Sequence, residues 1–133
     1  MAKKRVALEL GMGTSLRSRD YTRAAIRAVS DALWHNSLNM ADAFGFPRDA
    51  MIVDVQVATQ QPDEVKTHEV AAIFPYGQVC VTSVFGGMDI PKRRVLDEPM
   101  HGTDQHAVTI IANAAIIVSF DMEKNPSKAR SSE

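Results

Sequence analysis

Apolar and polar residues alternate along several short segments of the chain, and a period of two predicts β-strands. In the first segment Val6, Leu8 and Leu10 share one face, so we expect these three side chains to enter the core. The last segment is apolar almost throughout, and its central Asn113 predicts a bend or bulge there. The four predicted strands cover residues 5–10, 51–59, 78–85 and 107–120.

A period of three to four residues predicts a helix over residues 21–37 and a shorter helix that begins near Pro62. Asp20 is the expected N-cap of the first helix, because its side-chain oxygen can accept a bond from a free backbone N–H group. The many alanines of this helix allow it to lie close to a sheet. Its predicted apolar face consists of Ala25, Ile26, Val29, Ala32 and Leu33.

Two segments show neither period. Residues 88–105 form a long predicted loop, which we interpret either as a lid near a functional site or as a solvated connection. Residues 123–133 are rich in Lys, Ser and Asn and hold too little apolar surface to fold, so a disordered tail is expected. The sequence therefore predicts a single domain over residues 1–122.

The order β-α-β-α-β-β predicts an α+β fold, a two-layer sandwich with both helices on one face of a mixed sheet. The other face would then expose Ile52, Ala58, Val84 and part of the apolar run at 115–118. Such a patch is larger than soluble monomers normally show. We therefore expect the chain to oligomerise through this face, with closed symmetry.

Composition narrows the classes of function. The 133 residues carry a formal net charge of −1, so neither a nucleic acid nor an anionic membrane is an expected partner. The single cysteine, Cys80, excludes an internal disulfide and is typical of a reducing cytoplasm. The apolar run after the basic N-terminus breaks at Glu9 and Gly11, too early for a signal peptide. No cofactor is expected.

The leading candidate site is the segment between the first strand and the first helix, which we predict to be a glycine turn. There, backbone N–H groups, hydroxyl groups and guanidinium groups would surround one small space that suits an anion or a polarised carbonyl. The alternative is that this segment binds no ligand: the glycines only turn the chain, and the arginines are solvated. The candidate residues are Gly11, Gly13, Thr14, Ser15, Arg17 and Arg19.

Further polar residues could complete this site. Ser15 is the candidate nucleophile, and Asp54 is the candidate proton shuttle. Gln56 shares a strand face with Asp54, so both are candidates for an intersubunit cleft. Lys92 belongs to a basic run that could steer an anion, and Asn113 either lines a polar pocket or ties a bend together.

A metal site is the weaker alternative for the long loop. His101, Asp104 and His106 place two imidazoles and a carboxylate within six residues, a set that could hold zinc. The loop lacks a cysteine ligand and the spacing of helical zinc motifs. We therefore expect no metal.

Several short motifs carry a resemblance to known proteins. Glu9-Leu10-Gly11-Met12-Gly13, Pro75-Tyr76-Gly77, Gly86-Gly87-Met88 and Ile111-Ala112-Asn113-Ala114-Ala115 together resemble a Lin-type family of conserved hypothetical bacterial proteins. More loosely, the element order is similar to that of the trimeric monofunctional chorismate mutases, the YjgF-type enamine deaminases and domains of ring-opening amidohydrolases.

These fold resemblances imply a homotrimer or a higher ring with ligand sites between subunits. The ring-opening enzymes pair a serine with a lysine, and position in the fold makes Ser15 and Lys92 the corresponding candidates. The implied function is binding or transformation of a small carbonyl or carboxylate metabolite, as a hydrolase, lyase or isomerase if a reaction occurs. A ligand-binding or regulatory ring without chemistry and a purely structural oligomer remain alternatives.

Overall fold

The computed structural model describes residues 2–16, 19–34, 40–91 and 108–124. Its sheet holds strands β1 to β5, and three helices, α1 to α3, accompany it. The strands are β1 Lys3–Ser15, β2 Ile52–Thr59, β3 Gln78–Phe85, β4 Met88–Pro91 and β5 Val108–Asp121. The helices are α1 Tyr21–Trp34, α2 Met40–Ala43 and α3 Thr67–Ala71, with short 3₁₀ turns at Arg48–Ala50, Pro62–Glu64 and Met122–Lys124.

The sheet is mixed, with the strand order β1-β5-β2-β3. β2 and β3 are parallel, whereas β5 is antiparallel to β1, β2 and β4. β4 follows β2 along the same side of β5. Ala58, the last residue of β2 paired with β5, lies opposite Asn113, and Met88, the first residue of β4, lies opposite Ile111. The helices lie on one side, so the predicted α+β architecture with helices on one face is confirmed.

The first strand is longer than predicted and contains both of its glycines. β1 runs to Ser15, and neither Gly11 nor Gly13 has a positive φ. A Cβ atom on Gly11 would lie 2.5 Å from the amide nitrogen of Ala32 in α1, and one on Gly13 would lie 2.5 Å from the carbonyl oxygen of Ala24. The predicted glycine turn is therefore wrong: the glycines admit the helix to the sheet.

Helix α1 fits the prediction at its start. Asp20 Oδ1 accepts a hydrogen bond from the amide of Arg23 at 2.9 Å, which confirms the N-cap. Because α1 lies so close, Asp31 Oδ2 accepts from the Met12 amide at 2.9 Å, and Arg27 donates to the Thr14 carbonyl at 2.7 Å. Both bonds satisfy backbone groups of β1, which is an edge strand.

The core lies between the helices and the helix-side face of the sheet, here called the inner face. Valine, isoleucine and alanine side chains of β2 and β5 alternate into it, and Phe46 stacks on Phe120 with ring centroids 4.5 Å apart. The predicted apolar face of α1 packs there: Ala25, Val29 and Ala32 are buried, and Ile26 and Leu33 are partly buried.

The opposite face, here called the outer face, carries two residues predicted for the core. Leu8 and Leu10 are 46% and 66% exposed, and only Val6 packs against the core. The reason is a bulge in β1 between Arg5 and Ala7, which changes the side of the sheet on which the following residues lie. Of the bend or bulge predicted near Asn113, the bulge is wrong, since β5 keeps a continuous register with β1 and β2 there; the bend stays a prediction.

β4 was not predicted, because its four residues fall in the segment interpreted as a loop. Gly87 makes the approach to β4 possible: its φ is +62°, and a side chain there would collide with the backbone of Ile111. The rest of that loop, residues 92–105, lies outside the described residues, as do residues 125–133 of the predicted tail. The single domain over 1–122 and the cytoplasmic location stay predictions. None of the helices in the described part of the chain is long and apolar enough to cross a membrane.

Candidate functional site

The sheet separates the two predicted catalytic residues. Ser15 is buried on the inner face, in register with Ile110 of β5. Asp54 lies on the outer face, where Lys3 Nζ donates to its Oδ2 at 2.8 Å. Within one chain the two side chains are on opposite sides of the β-sheet, so they do not form one catalytic pair.

The other predicted ligand-binding residues are divided in the same way. Gly11 and Gly13 are covered by α1 and are not available to a ligand. Thr14, Gln56 and Asn113 lie on the outer face. Gln56 is opposite Ala115 on β5, two residues from Asn113, so the two exposed amides are diagonal neighbours across the strands.

Apolar side chains surround those two amides. Cross-strand register places Leu10 and Met12 of β1 on one side of them and Met88 and Ile90 of β4 at one end, all of them exposed. The charged residues of this face, Lys3, Arg5 and Asp54, collect at the other end, beside Ile52 and Ser119. The centre of the outer face is thus uncharged and mostly aliphatic, with two amides in it.

Part of the prediction lies beyond what the structure describes. This holds for Arg17, for Lys92 and for the candidate metal ligands His101, Asp104 and His106. Among the described residues, no group of three His, Cys, Asp or Glu side chains is arranged to hold a metal ion.

A polar cluster on the inner face was not predicted as a site. The Tyr21 hydroxyl at the start of α1 donates to Asp89 Oδ2 of β4 at 2.5 Å. Tyr21 is only 1% exposed. Its burial, and next its bond to Asp89, raise the pKa of the Tyr21 phenol to about 12. The positive charge of Arg19 acts in the opposite direction and partly lowers the pKa of the phenol. Arg19 is the only predicted site residue that belongs to this cluster.

Two buried oxygens near this cluster have no hydrogen-bond partner within the described chain, Asp89 Oδ1 and Thr59 Oγ1. A buried polar atom without a partner costs about 1 to 3 kcal/mol, so such atoms often mark a place where a further group binds. The sequence did contain one indication that Asp89 faces the core. In Met88-Asp89-Ile90 a carboxylate alternates with two apolar residues, so Asp89 must face away from them if this segment is a strand.

An open groove of about 620 Å³ borders the same cluster. Tyr21 lines it together with Thr22 from α1 and residues of the connection between β2 and α3. Its lining carries more carboxylates than cations: Asp20, Asp63, Glu64 and Glu69 against Arg19 and Lys66.

Comparison with known proteins gives a family without an assigned activity. A family described as "conserved hypothetical protein (Lin0512_fam)" matches residues 5–118. The crystal structure of an FtsZ-like protein of unknown function from Nostoc punctiforme PCC 73102 superposes with a TM-score of 0.77 at 35% sequence identity, covering 91% of this chain and 98% of that one. No curated protein matches the chain significantly.

Proposed function

Because the chain belongs to the Lin0512 family of conserved hypothetical proteins, its function has to be argued from its own residues, and we propose that it is a homo-oligomeric metabolite-binding protein. Copies of the chain bury the outer face of the sheet against one another. A small carbonyl or carboxylate compound binds where the copies meet, next to Gln56 and Asn113.

The observation that carries this proposal is the composition of the outer face. Four strands side by side and about eight residues long give a face of about 500 Å² at normal strand spacing. Leu8, Leu10, Met12, Met88 and Ile90 stand on it with at least 42% of their surface exposed. The apolar patch is a part of this area, and contiguous exposed apolar patches of about a few hundred Å² on a single chain are often functional.

A second copy of the chain is the occupant that fits this face. Lack of charge at the centre, with charged residues at the border, is the composition of protein–protein interfaces. The face is also a sheet surface, which packs well against another sheet at about 10 Å. For the assembly we propose the trimeric sheet-to-sheet packing of the chorismate mutase and YjgF-type folds, which leave helices outside.

The two amides supply the ligand chemistry of the proposal. An amide offers two N–H donors and one carbonyl acceptor, so Gln56 and Asn113 together can hold the oxygens of a carbonyl or carboxylate group. Once buried between copies, they need such partners, because an unpaired amide is costly in an apolar interface. No catalytic step is assigned to Ser15 and Asp54, since the sheet stands between them.

The oligomer is tested by placing a charge on the outer face. Leu10→Asp puts a carboxylate in the middle of the proposed interface, while Ser30→Asp adds the same charge on the exposed side of α1. By light scattering after gel filtration, we expect the wild type and Ser30→Asp at about three times the chain mass of 14.6 kDa and Leu10→Asp at the monomer mass. A monomeric wild type, or an unchanged mass for Leu10→Asp, would refute the proposal.

The ligand is tested by native mass spectrometry of the purified oligomer. A bound metabolite adds its mass to the assembly, and we expect Asn113→Leu and Gln56→Leu to remove this increment while the oligomer persists. Thr82→Val, a polar-to-apolar change on β3 of the same face, is the control and should keep it. An oligomer that carries no small molecule would indicate the structural alternative.

A further inference from the structure

We propose a second site, on the inner face, in which Asp89, held in place by its bond from Tyr21, and Thr59 bind the primary ammonium group of a small amine. This site is independent of the outer face and goes beyond the proposed oligomer.

Asp89 is the anchor of the site. One oxygen of its carboxylate, Oδ2, accepts the Tyr21 hydroxyl at 2.5 Å, whereas the other, Oδ1, is buried and accepts nothing from the residues described. The bond from Tyr21 leaves the carboxylate with one free acceptor at a fixed position. A carboxylate in this state favours a charged N–H donor, because charge-assisted hydrogen bonds are about twice as strong as neutral ones.

Thr59 provides the second acceptor. Its side chain is 0% exposed, and its Oγ1 has no partner in the described chain. Register brings it to the same end of the inner face as Asp89. β2 pairs Ala58 with Asn113, and β4 pairs Asp89 with Ile110, so Thr59 and Asp89 are about two residues, or roughly 7 Å, apart along β5.

A primary ammonium group matches these two oxygens. It carries three N–H donors and one positive charge, so a single nitrogen can donate to a carboxylate and to a hydroxyl at once. A ligand with only carbonyl or carboxylate oxygens could not donate to Asp89 and would be repelled by it. The site therefore selects a chemical class opposite to that proposed for the outer face.

In this proposal a cation enters from the groove beside Tyr21 and passes the Tyr21 side chain to reach the two oxygens. Tyr21 lines this groove and also bonds Asp89, so the two are separated by one side chain. The excess of carboxylates around the groove raises the local concentration of small cations. Asp63 and Glu64 lie on its rim and are exposed, so either can be neutralised without touching the buried cluster.

The experiment titrates the protein with methylammonium chloride and, separately, with tetramethylammonium chloride, which has the same charge but no N–H donor. Binding is followed by amide chemical shifts in nuclear magnetic resonance spectra. We expect methylammonium, but not tetramethylammonium, to change the chemical shifts of the backbone amides around Thr59 and Asp89. Asp89→Asn should weaken this binding by at least about tenfold, the factor for one lost charge-assisted hydrogen bond. Asp63→Asn, the matched loss of one groove charge, should weaken it by less than about threefold, as for a screened surface charge.

The proposal is overturned if both cations change the same chemical shifts, or if Asp89→Asn binds methylammonium as tightly as the wild type. It is also overturned if methylammonium changes no shift near Thr59, which would mean that the two oxygens bind only water. Should Asp89→Asn fail to fold, Thr59→Val decides: it removes one acceptor with nearly the same shape and is expected to weaken methylammonium binding severalfold. Leu10→Asp should bind methylammonium like the wild type, so loss of the oligomer and loss of this site can be told apart.

Discussion

The bond between Tyr21 and Asp89 joins the first residue of α1 to a strand 68 positions later in the chain. It gives the partly buried carboxylate of Asp89 a hydrogen-bond donor, and a carboxylate that leaves water needs such partners. At the scale of single residues it is the contact with the clearest chemical consequence, because it fixes the protonation state of a buried tyrosine.

We expect Tyr21→Phe to lower the free energy of unfolding by about 1 to 3 kcal/mol, because Asp89 Oδ2 then loses its hydrogen-bond donor. Chemical denaturation at pH 7 measures this. Ser83→Ala is a suitable control, since it removes a hydroxyl that bonds only the Pro62 carbonyl, at 2.8 Å, without leaving a buried charge unpaired. If Tyr21→Phe lowers the free energy of unfolding no more than Ser83→Ala does, the bond between Tyr21 and Asp89 does not stabilise the protein as proposed.

The burial of Tyr21, and next its bond to Asp89, predict that stability depends on alkaline pH. The pKa of Tyr21 is 10.0 in the unfolded chain and about 12 in the folded protein, so the folded state favours the protonated phenol. Its contribution to stability is complete below pH 10 and is lost as the pH rises towards 12. Absorbance at 295 nm, which detects ionised tyrosine, should show one phenol titrating near pH 12 in the wild type. That step should be missing in Tyr21→Phe.

At the scale of elements, the packing of α1 on β1 is decided by two glycines and a row of alanines. Gly11 and Gly13 face Ala24, Ala28 and Ala32, so backbone meets backbone with almost no side chain between them. This close approach lets Asp31 and Arg27 reach the edge of β1. The glycines therefore have a structural role in this fold, rather than the ligand-binding role predicted for them.

We expect Gly13→Ala to destabilise the protein by about 1 to 3 kcal/mol or more, as overpacking does in rigid cores. The atoms that a new Cβ would meet belong to the backbone of Ala24, Arg27 and Ala28, which cannot turn aside. Thermal unfolding compares it with Ser30→Ala, a small change on the exposed side of α1, which should unfold like the wild type. A melting temperature of Gly13→Ala equal to that of the wild type would mean that α1 does not lie as close as described.

The whole molecule has two sheet faces, of which one is covered by its own helices. No helix of the described residues covers the outer face, which is the proposed interface between copies of the chain. Cys80 lies on this face, next to Asp54 in the register of β2 and β3, and is exposed in the single chain. Its accessibility therefore reports whether copies cover the sheet.

If copies of the chain cover the outer face, Cys80 in the wild type should react several times more slowly with a maleimide than Cys80 in the monomeric Leu10→Asp variant, because the thiol is then shielded from the reagent. Ser30→Asp, which changes charge away from the outer face, should react like the wild type. Mass spectrometry over a time course gives the rates. Equal rates in all three proteins would show that the region around Cys80 is not part of the interface.

Periodicity in the sequence was sufficient for most elements, because regular burial imposes the period of the secondary structure on the chain. It predicted β3 with its observed bounds, β2 and β5 to within a residue, the start and cap of α1, and the α+β class. It missed β4, since four residues are too few to show a period.

Only the tertiary structure decided which face of each strand is covered. Alternation groups Leu8 with Leu10, but the bulge at residue 6 and the position of α1 place that group on the outer face. For the same reason Gly11 and Gly13 are read as a turn in sequence and as a packing contact in space. The pairing of Tyr21 with Asp89 joins distant segments, and no local pattern can encode it. The sequence by itself determined most of the elements, because their periods are local; contacts between distant residues determined which side chains lie together on each face of the sheet.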